Sequence, residues 1–406
     1  MKILVADKFE QRGLDQLREL GCEVFSMPGT DASGLPAVLA DRDPDALIVR
    51  STRVNGEAIA AADRLKLIIR AGAGYDTIDV AAASAAGVFV ANCPGKNAIA
   101  VAELAWALIL SCDRRVPDQT RDLRAGRWNK KEYSAARGLH GATLGVLGLG
   151  TIGREVSARA RAFGMNVIAW SRSLTEHTAA EVGVGYAATV LELARASDVV
   201  SVHVASTADT KHLIDAAFVE AMKPGAYLVN TSRGAVVDEQ ALLAGVRTKG
   251  LRAGLDVFEG EPGAAVADLD SEVAREPGVY GTHHVGASTD QAQLAIALEA
   301  ARIVERFRDT GEVLHCVNRA ARSTATCMLT VRHRNRPGVL AHVFQVLSEA
   351  RINVEEMENI LYEGGQAACA RVQLSQPPTS EHLNTIRGRC DDILSMELSL
   401  IAAKGA

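Results

Sequence analysis

Apolar positions along this chain come in short runs of four or five residues, separated by longer polar stretches with a helical period. Lys2-Ile-Leu-Val-Ala6 is followed by a polar-periodic segment, Glu10 to Leu20, and then by Cys22-Glu-Val-Phe. Ala46-Leu-Ile-Val49 and Leu67-Ile-Ile69 continue the alternation. Strands alternating with helices imply parallel strands joined by crossover helices, hence an α/β layered domain. The helix that opens near Asn97 is apolar on several faces, which suits a buried connector between two domains. A second α/β block starts at Leu144 and runs through Asn166–Trp170, Val199–Val202, Ala226–Val229, Arg252–Asp256 and Val279-Tyr280. It predicts six strands, with Thr289 to Arg308 as the returning helix.

The pattern changes after Cys316. The polar, small-residue stretch Asn318–Thr326 predicts a linker. Beyond it, strands at Cys327–Val331, Gln366–Leu374 and Ser395–Ile401, with a helix from Gly338 to Ala350, predict a small βαβ-like domain. The expected fold class is α/β: two doubly wound parallel-sheet, Rossmann-like domains plus a small C-terminal α+β domain. The expected boundaries are a discontinuous substrate-binding domain (1–95 and 286–318), a dinucleotide-binding domain (96–285) and a terminal domain (324–406).

Composition narrows the class. A chain of 406 residues, 48% hydrophobic and 23% charged, is ordinary for a globular protein. The net charge of -5 speaks against nucleic acid or an anionic membrane as partner. It leaves a small anionic substrate open, because local cations decide that. Asp7 and Lys8 interrupt the apolar core that a signal peptide needs. The apolar helix Ala98–Cys112 carries Glu103 and is shorter than the ~20 residues a bilayer requires. Seven scattered cysteines without a C-x-x-C pair favour reduced thiols in a cytoplasm, with no metal site.

The candidate chemistry starts at Gly148-x-Gly150-x-x-Gly153, which lies between an apolar strand and the helix-forming Arg154–Ala162. Such a turn lets backbone amides approach a pyrophosphate at a helix N-terminus. The next strand ends Trp170-Ser171-Arg172-Ser173, without the carboxylate that usually holds the adenosine ribose of NAD. Ser171 can bond a ribose hydroxyl and Arg172 can meet a 2′-phosphate, so NAD and NADP both stand. Arg233, Glu261 and His284 each follow a strand end in the same block, where open parallel sheets place their ligand crevice. Oxidising a secondary alcohol needs a base, and His284 is the group that titrates near neutrality. Glu261 would orient the ring and favour the imidazolium. Arg233 would hold a substrate carboxylate and polarise the C2 oxygen. By residue type alone, His283 rivals His284 and Glu259 rivals Glu261.

These motifs, together with Arg70-Ala-Gly-Ala-Gly-Tyr-Asp-Thr-Ile-Asp79 and Val101-Ala-Glu103, resemble the D-isomer-specific 2-hydroxyacid dehydrogenases over nearly the whole chain. The resemblance implies a catalytic set of Arg233, Glu261 and His284. The flanking Val-Gly-Ala-Ser-Thr selects His284, although the family usually has Pro at the place of His283. The acid directly before Pro262 selects Glu261. Implied dinucleotide contacts are Gly148, Gly150, Thr151, Ile152, Gly153, Thr231, Ser232, Asp256, Gly286 and Ala287. Arg50-Ser51-Thr52-Arg53 resembles the substrate loop in which arginine meets a phosphate, with Ser51 or Thr52 as added donors. A salt-bridged loop arginine is the plainer alternative. Gly72, Ala73 and Gly74 are implied on the substrate side. Lys130 and Lys131 would contribute across a dimer or form a solvated charge run.

His333-Arg-Asn-Arg-Pro-Gly-Val-Leu340 and Ile352-Asn353-Val354 resemble the ligand loop and following strand of an ACT domain. His333, Asn335 and Asn353 then match the ligands of L-serine, bound as an effector between paired ACT domains. A dimerisation module without effector is the alternative. The resemblance thus implies NAD-linked oxidation of D-3-phosphoglycerate at C2 to 3-phosphohydroxypyruvate, the first step of L-serine biosynthesis, by a homodimer or homotetramer. Two other functions share the fold: an NADP-dependent hydroxypyruvate/glyoxylate reductase and a non-enzymatic nucleotide-sensing corepressor.

Overall fold

The computed structural model describes residues 1–262, 266–320 and 323–401. The chain divides into two compact units between Asn318 and Arg319. The expected linker spans this point; its residues 321 and 322, like 402–406 of the expected terminal domain, lie outside the described residues.

In the first unit, β1 (Lys2–Val5), β2 (Glu23–Ser26), β3 (Ala46–Val49), β4 (Leu67–Arg70) and β5 (Phe89–Asn92) form a parallel sheet in the order β2-β1-β3-β4-β5. Strands β1, β3 and β4 are covered on both faces, which is why they read as unbroken apolar runs rather than as alternation. The helix Asp290–Thr310 packs on this sheet, with Ile296, Ala300, Ile303 and Val304 against Ile3, Val5 and Ile69.

The second sheet contains β6 (Thr143–Leu147), β7 (Asn166–Trp170), β8 (Gly185–Tyr186), β9 (Val199–Val202), β10 (Tyr227–Asn230), β11 (Arg252–Leu255) and β12 (Val279–Gly281). All are parallel, in the order β12-β11-β10-β9-β6-β7-β8. This is the Rossmann order, with one strand more than expected; β8 is two residues long and carries no periodicity. The apolar helix Ala98–Arg114 is buried on this sheet. Ala102, Ala105, Trp106 and Ile109 bury against Leu144, Val146 and Val229. Gly254 permits the approach, because a Cβ there would lie 2.7 Å from Leu108 Cβ.

The second unit is antiparallel. Strands β13 (Cys327–Arg334), β14 (Val354–Leu361), β15 (Ala367–Leu374) and β16 (Ile393–Leu400) run in the order β14-β15-β13-β16. Helices Val339–Glu349 and Ser380–Gly388 supply the core partners Val343, Leu347 and Ile386. The arrangement is βαββαβ rather than βαβ. Strand β14 reads Val-Glu-Glu-Met-Glu-Asn and is an exposed edge, so no apolar pattern announces it.

Both parallel sheets reverse their winding once, between β1 and β3 in the first and between β6 and β9 in the second. Ligand crevices form at the carboxyl ends of strands at such switch points. Asp7 and Arg50 leave the first, and Gly148 and His203 leave the second.

Candidate active site

Three strand ends of the second sheet bring Arg233, Glu261 and His284 together. At the end of β10, buried Asn230 accepts from the Ser232 N–H (3.0 Å) and hydroxyl (2.8 Å) and donates to the Arg233 carbonyl (2.9 Å). This turn aims Arg233 into the crevice. At the end of β11, buried Asp256 governs the following loop: it accepts from Thr282 Oγ1 (2.6 Å) and from the N–H groups of Val285 and Gly286 (2.9 Å each). Its carbonyl accepts the His284 N–H at 2.7 Å, with His284 held at a left-handed φ of 53°. Glu261 reaches both sides of the site. Oε1 accepts the Phe258 N–H (2.9 Å), and Oε2 lies 2.7 Å from His284 Nδ1. Burial opposes ionisation of Glu261, but the bonds from His284 and Phe258 and the charge of Arg233 outweigh it, so its pKa lies below the ordinary carboxylate value.

The first sheet supplies cations opposite. Arg233 Nη2 bonds Asp76 at 3.0 Å. Gly74 makes room for it: a Cβ there would lie 1.9 Å from Nη2. Gly72, at φ +149°, does the same for Arg70, whose Nη1 would lie 1.7 Å from an added Cβ. Between them, the Ala73 carbonyl is held by Asn92 Nδ2 at 2.6 Å. Arg70 is the unexpected member. Its Nε is buried without a partner, and burial beside Arg233 and Arg50 pulls its pKa down to about 10. Arg70 with Arg233 and Arg50 close enough to act on its charge, and Asp76 facing them, make a site for an anion.

The loop carrying Arg50 is built on Asp7, whose Oδ2 accepts the N–H groups of Arg50, Ser51 and Thr52 at 2.6, 3.1 and 3.2 Å. These bonds hold the Asp7 carboxyl below its usual value against the opposing effect of burial. Arg50 makes no ion pair among the described residues and touches Ser288 Oγ at 3.2 Å, so it is not a salt-bridged loop residue. The Ser51 hydroxyl donates to Asp7 Oδ1 (2.7 Å) and that of Thr52 to the Thr30 carbonyl (3.0 Å). Arg53 is exposed.

The glycine turn divides its labour. A Cβ on Gly148 would lie 2.8 Å from the His203 backbone, and one on Gly153 would lie 2.3 Å from the Gly148 carbonyl oxygen. Gly150 instead faces open space and precedes the helix Thr151–Ala162, whose first-turn amides, including those of Thr151 and Ile152, no side chain caps. Gly148 N–H bonds the Trp170 carbonyl at 2.8 Å, which sets half-buried Ser171 and exposed Arg172 beside the turn. Thr231 Oγ1, at the end of β10, is buried without a partner. Open amides at a helix N-terminus and an orphaned hydroxyl along the crevice suit a dinucleotide. Gly286 is buried and Ala287 half-buried at the far side of the same loop.

The rivals separate. His284, and not His283, bonds Glu261, and Glu259 turns away to His212 Nε2 (2.9 Å). Lys130 and Lys131 lie exposed on the short helix Lys130–Tyr133. No cluster of His, Cys, Asp or Glu among the described residues has metal-binding geometry, and no helix among them is long and apolar enough to cross a membrane. In the second unit, buried His333 bonds the Arg334 carbonyl through Nδ1 (2.8 Å), and Asn335 donates to the Gly365 carbonyl (2.9 Å). Asn353 lies at the opposite end of the sheet. It precedes Val354, which is level with Leu374 and so with Cys327, whereas His333 is level with Ala368. One chain does not bring these three side chains together.

Known proteins carry the same pattern. Residues 106–286 match the sequence model of the D-isomer specific 2-hydroxyacid dehydrogenase NAD binding domain, and residues 328–358 match that of the ACT domain. The chain is 34% identical, over 100% of its length and 74% of the relative's, to a D-3-phosphoglycerate dehydrogenase of Archaeoglobus fulgidus. It is 41% identical, over 66% of its length and 85% of the relative's, to a hydroxypyruvate reductase of Thermotoga maritima. It spans only 54 to 59% of the length of several other D-3-phosphoglycerate dehydrogenases that it matches. The crystal structure of a cofactor (NAD+) bound 3-phosphoglycerate dehydrogenase from Entamoeba histolytica superposes with a TM-score of 0.66 at 26% identity, covering 79% of this chain and 99% of that one. With its histidine–carboxylate pair, its glycine turn and a relative matched from end to end of this chain, the protein belongs to the D-isomer specific 2-hydroxyacid dehydrogenase family and carries an ACT domain.

Proposed function

We propose that this chain oxidises D-3-phosphoglycerate at C2 to 3-phosphohydroxypyruvate with NAD, the first step of L-serine biosynthesis. The observation that carries it is the convergence of Arg50, Arg70 and Arg233 beside the His284–Glu261 pair, since a substrate with a carboxylate and a phosphate needs more cations than one. When bound, NAD accepts the C2 hydride. Every other part belongs to this chain. Arg233 binds the carboxylate and polarises the C2 oxygen, and Arg50 and Arg70 bind the phosphate. His284 takes the hydroxyl proton at Nε2 while Glu261 holds Nδ1–H and balances the charge that develops on the ring. Residues 1–95 with 286–318 act as the substrate lobe and 96–285 as the dinucleotide lobe. Ser171 bonds the adenosine ribose, Thr231 and Ser232 line the cofactor crevice, and Asp256 acts by fixing the His284 loop.

Reduction of hydroxypyruvate or glyoxylate with NADPH is the alternative, favoured by Arg172 and by the missing carboxylate after β7. Initial rates with D-3-phosphoglycerate, hydroxypyruvate and glyoxylate, each with both cofactors, separate the two. NAD-linked turnover that strongly favours the phosphorylated acid supports the first. NADPH-linked reduction with phosphoglycerate inert replaces it by the second, and no turnover at all leaves the nucleotide-sensing corepressor.

The protein works in the cytoplasm as a homodimer or homotetramer. L-Serine binds across two ACT domains, with His333 and Asn335 from one copy and Asn353 from the other, because a single chain holds them at opposite sheet ends. Equilibrium dialysis without serine binding would leave the domain a dimerisation module.

A further inference from the structure

Behind the Glu261–His284 pair lies another carboxylate, which the reaction as described does not use. Glu239 opens the helix Glu239–Lys249 and accepts the Glu259 N–H through Oε1 at 2.6 Å. It is not needed as the helix cap, because Asp238 already accepts from the Gln240 and Ala241 N–H groups at 3.0 Å each. Its bond falls on the turn Phe258–Glu261, which is also held by Glu259 on His212 and by Glu261 on His284. Phe258 N–H turns inward to Glu261, and the Phe258 carbonyl packs on Gly234, where an added Cβ would lie 2.1 Å away. Burial and the neighbouring charges of Glu259 and Glu261 push the Glu239 carboxyl above its ordinary value. A carboxylate kept there at electrostatic cost adds little to folding stability. What it does provide is a fixed acceptor for the Glu259 N–H.

We propose that Glu239 is a positioning residue for proton transfer: by holding the Glu259 N–H it sets the turn so that Glu261 Oε2 meets His284 Nδ1. The same short segment then builds the site twice, with Arg233 binding substrate and Glu239, six residues on, bracing the carboxylate that braces the histidine. This role rests on the dehydrogenase activity proposed above.

Glu239→Ala removes the acceptor, and Glu239→Gln keeps an oxygen in its place. In the full chain, the alanine variant should exchange the Glu259 amide hydrogen at least about tenfold faster. Its kcat should fall about 10- to 100-fold, the scale of a misplacement of 1 Å or less, while KM for the cofactor stays within about twofold. Glutamine should restore both exchange protection and kcat to within about threefold of the unsubstituted enzyme. A fully active alanine variant, or a glutamine variant as impaired as alanine, would overturn the proposal. If the unsubstituted protein turned over none of the hydroxy or oxo acids, the dehydrogenase function would fall, and the Glu259 exchange rate would still decide whether Glu239 anchors the turn.

Discussion

Replacing Asp7 by Asn tests how the substrate loop is held. Asp7 accepts three backbone N–H groups and one hydroxyl from residues 50–52, all on a carboxylate. Asparagine with its oxygen where Oδ2 stood still accepts the three N–H groups, but as a neutral amide, and its NH₂ replaces the acceptor of the Ser51 hydroxyl. Bonds to a charged group contribute about 1.5–3 kcal/mol each when buried. Asp7 is only half-buried and Ser51 is exposed, so about 2 kcal/mol in total is the expected loss. That energy orders the loop from which Arg50 projects. If substrate binding must restore it, KM for D-3-phosphoglycerate rises about 10- to 30-fold at little change in kcat. Hydroxypyruvate, with no phosphate for Arg50, should be reduced with a KM within about threefold of normal. Steady-state kinetics on both substrates is the assay. An equal rise for both would refute the reasoning, because Asp7 would then be supporting the lobe and not the arginine. The same carboxylate stabilises the fold above the unfolded carboxylate pKa, near 3.9, and that contribution is lost as pH falls through its lowered folded value.

Other perturbations reach the rest of the site. Glu261→Ala should lower kcat about 10²- to 10³-fold with little effect on KM, and kcat within tenfold of normal would remove Glu261 from proton transfer. Gly234→Ala drives a Cβ to 2.1 Å from the Phe258 carbonyl, which cannot yield as a side chain would. It should cost about 3 kcal/mol or more, read as a fall in the denaturation midpoint. His203 is buried, which holds it neutral with a pKa of about 3. The unfolded chain takes up a proton below about pH 6.5 and the folded one does not, so stability should fall by about 1.4 kcal/mol per pH unit from this group. Denaturation midpoints from pH 7 to 4 should lose that slope in His203→Asn, and an unchanged slope would contradict the assignment.

Much of this architecture was legible because fully covered strands leave continuous apolar runs, and the helices between them have nothing to hide. Ala46–Val49, Asn166–Trp170 and Val199–Val202 appear in the structure with the limits the sequence implies. The edge elements were not legible. β8 is too short to repeat, and β14 buries almost nothing, so neither carries a period. Of the site, Arg233, Glu261 and His284 stood out because each follows a strand end in a recognisable flank. Arg70 did not, although it opens a motif noticed for its glycines. Its neighbours Arg50 and Arg233 lie 20 and 163 residues away.

Sequence alone determined the elements and their class, the glycine turn and the residue types available for hydride chemistry, because those depend on local period and local backbone freedom. Tertiary structure decided which residues act together. It turned Asp7 from an obstacle to secretion into the foundation of the substrate loop, with the Ser51 hydroxyl on Asp7 and that of Thr52 on the Thr30 carbonyl. It paired Glu261 with His284 and Glu259 with His212, a distinction two residues apart in the chain. The physical reason is the same throughout: a hydrogen bond or a charge pair is set by distance in space, and only the packing of the sheets brings strand ends from distant parts of the chain to within 3 Å.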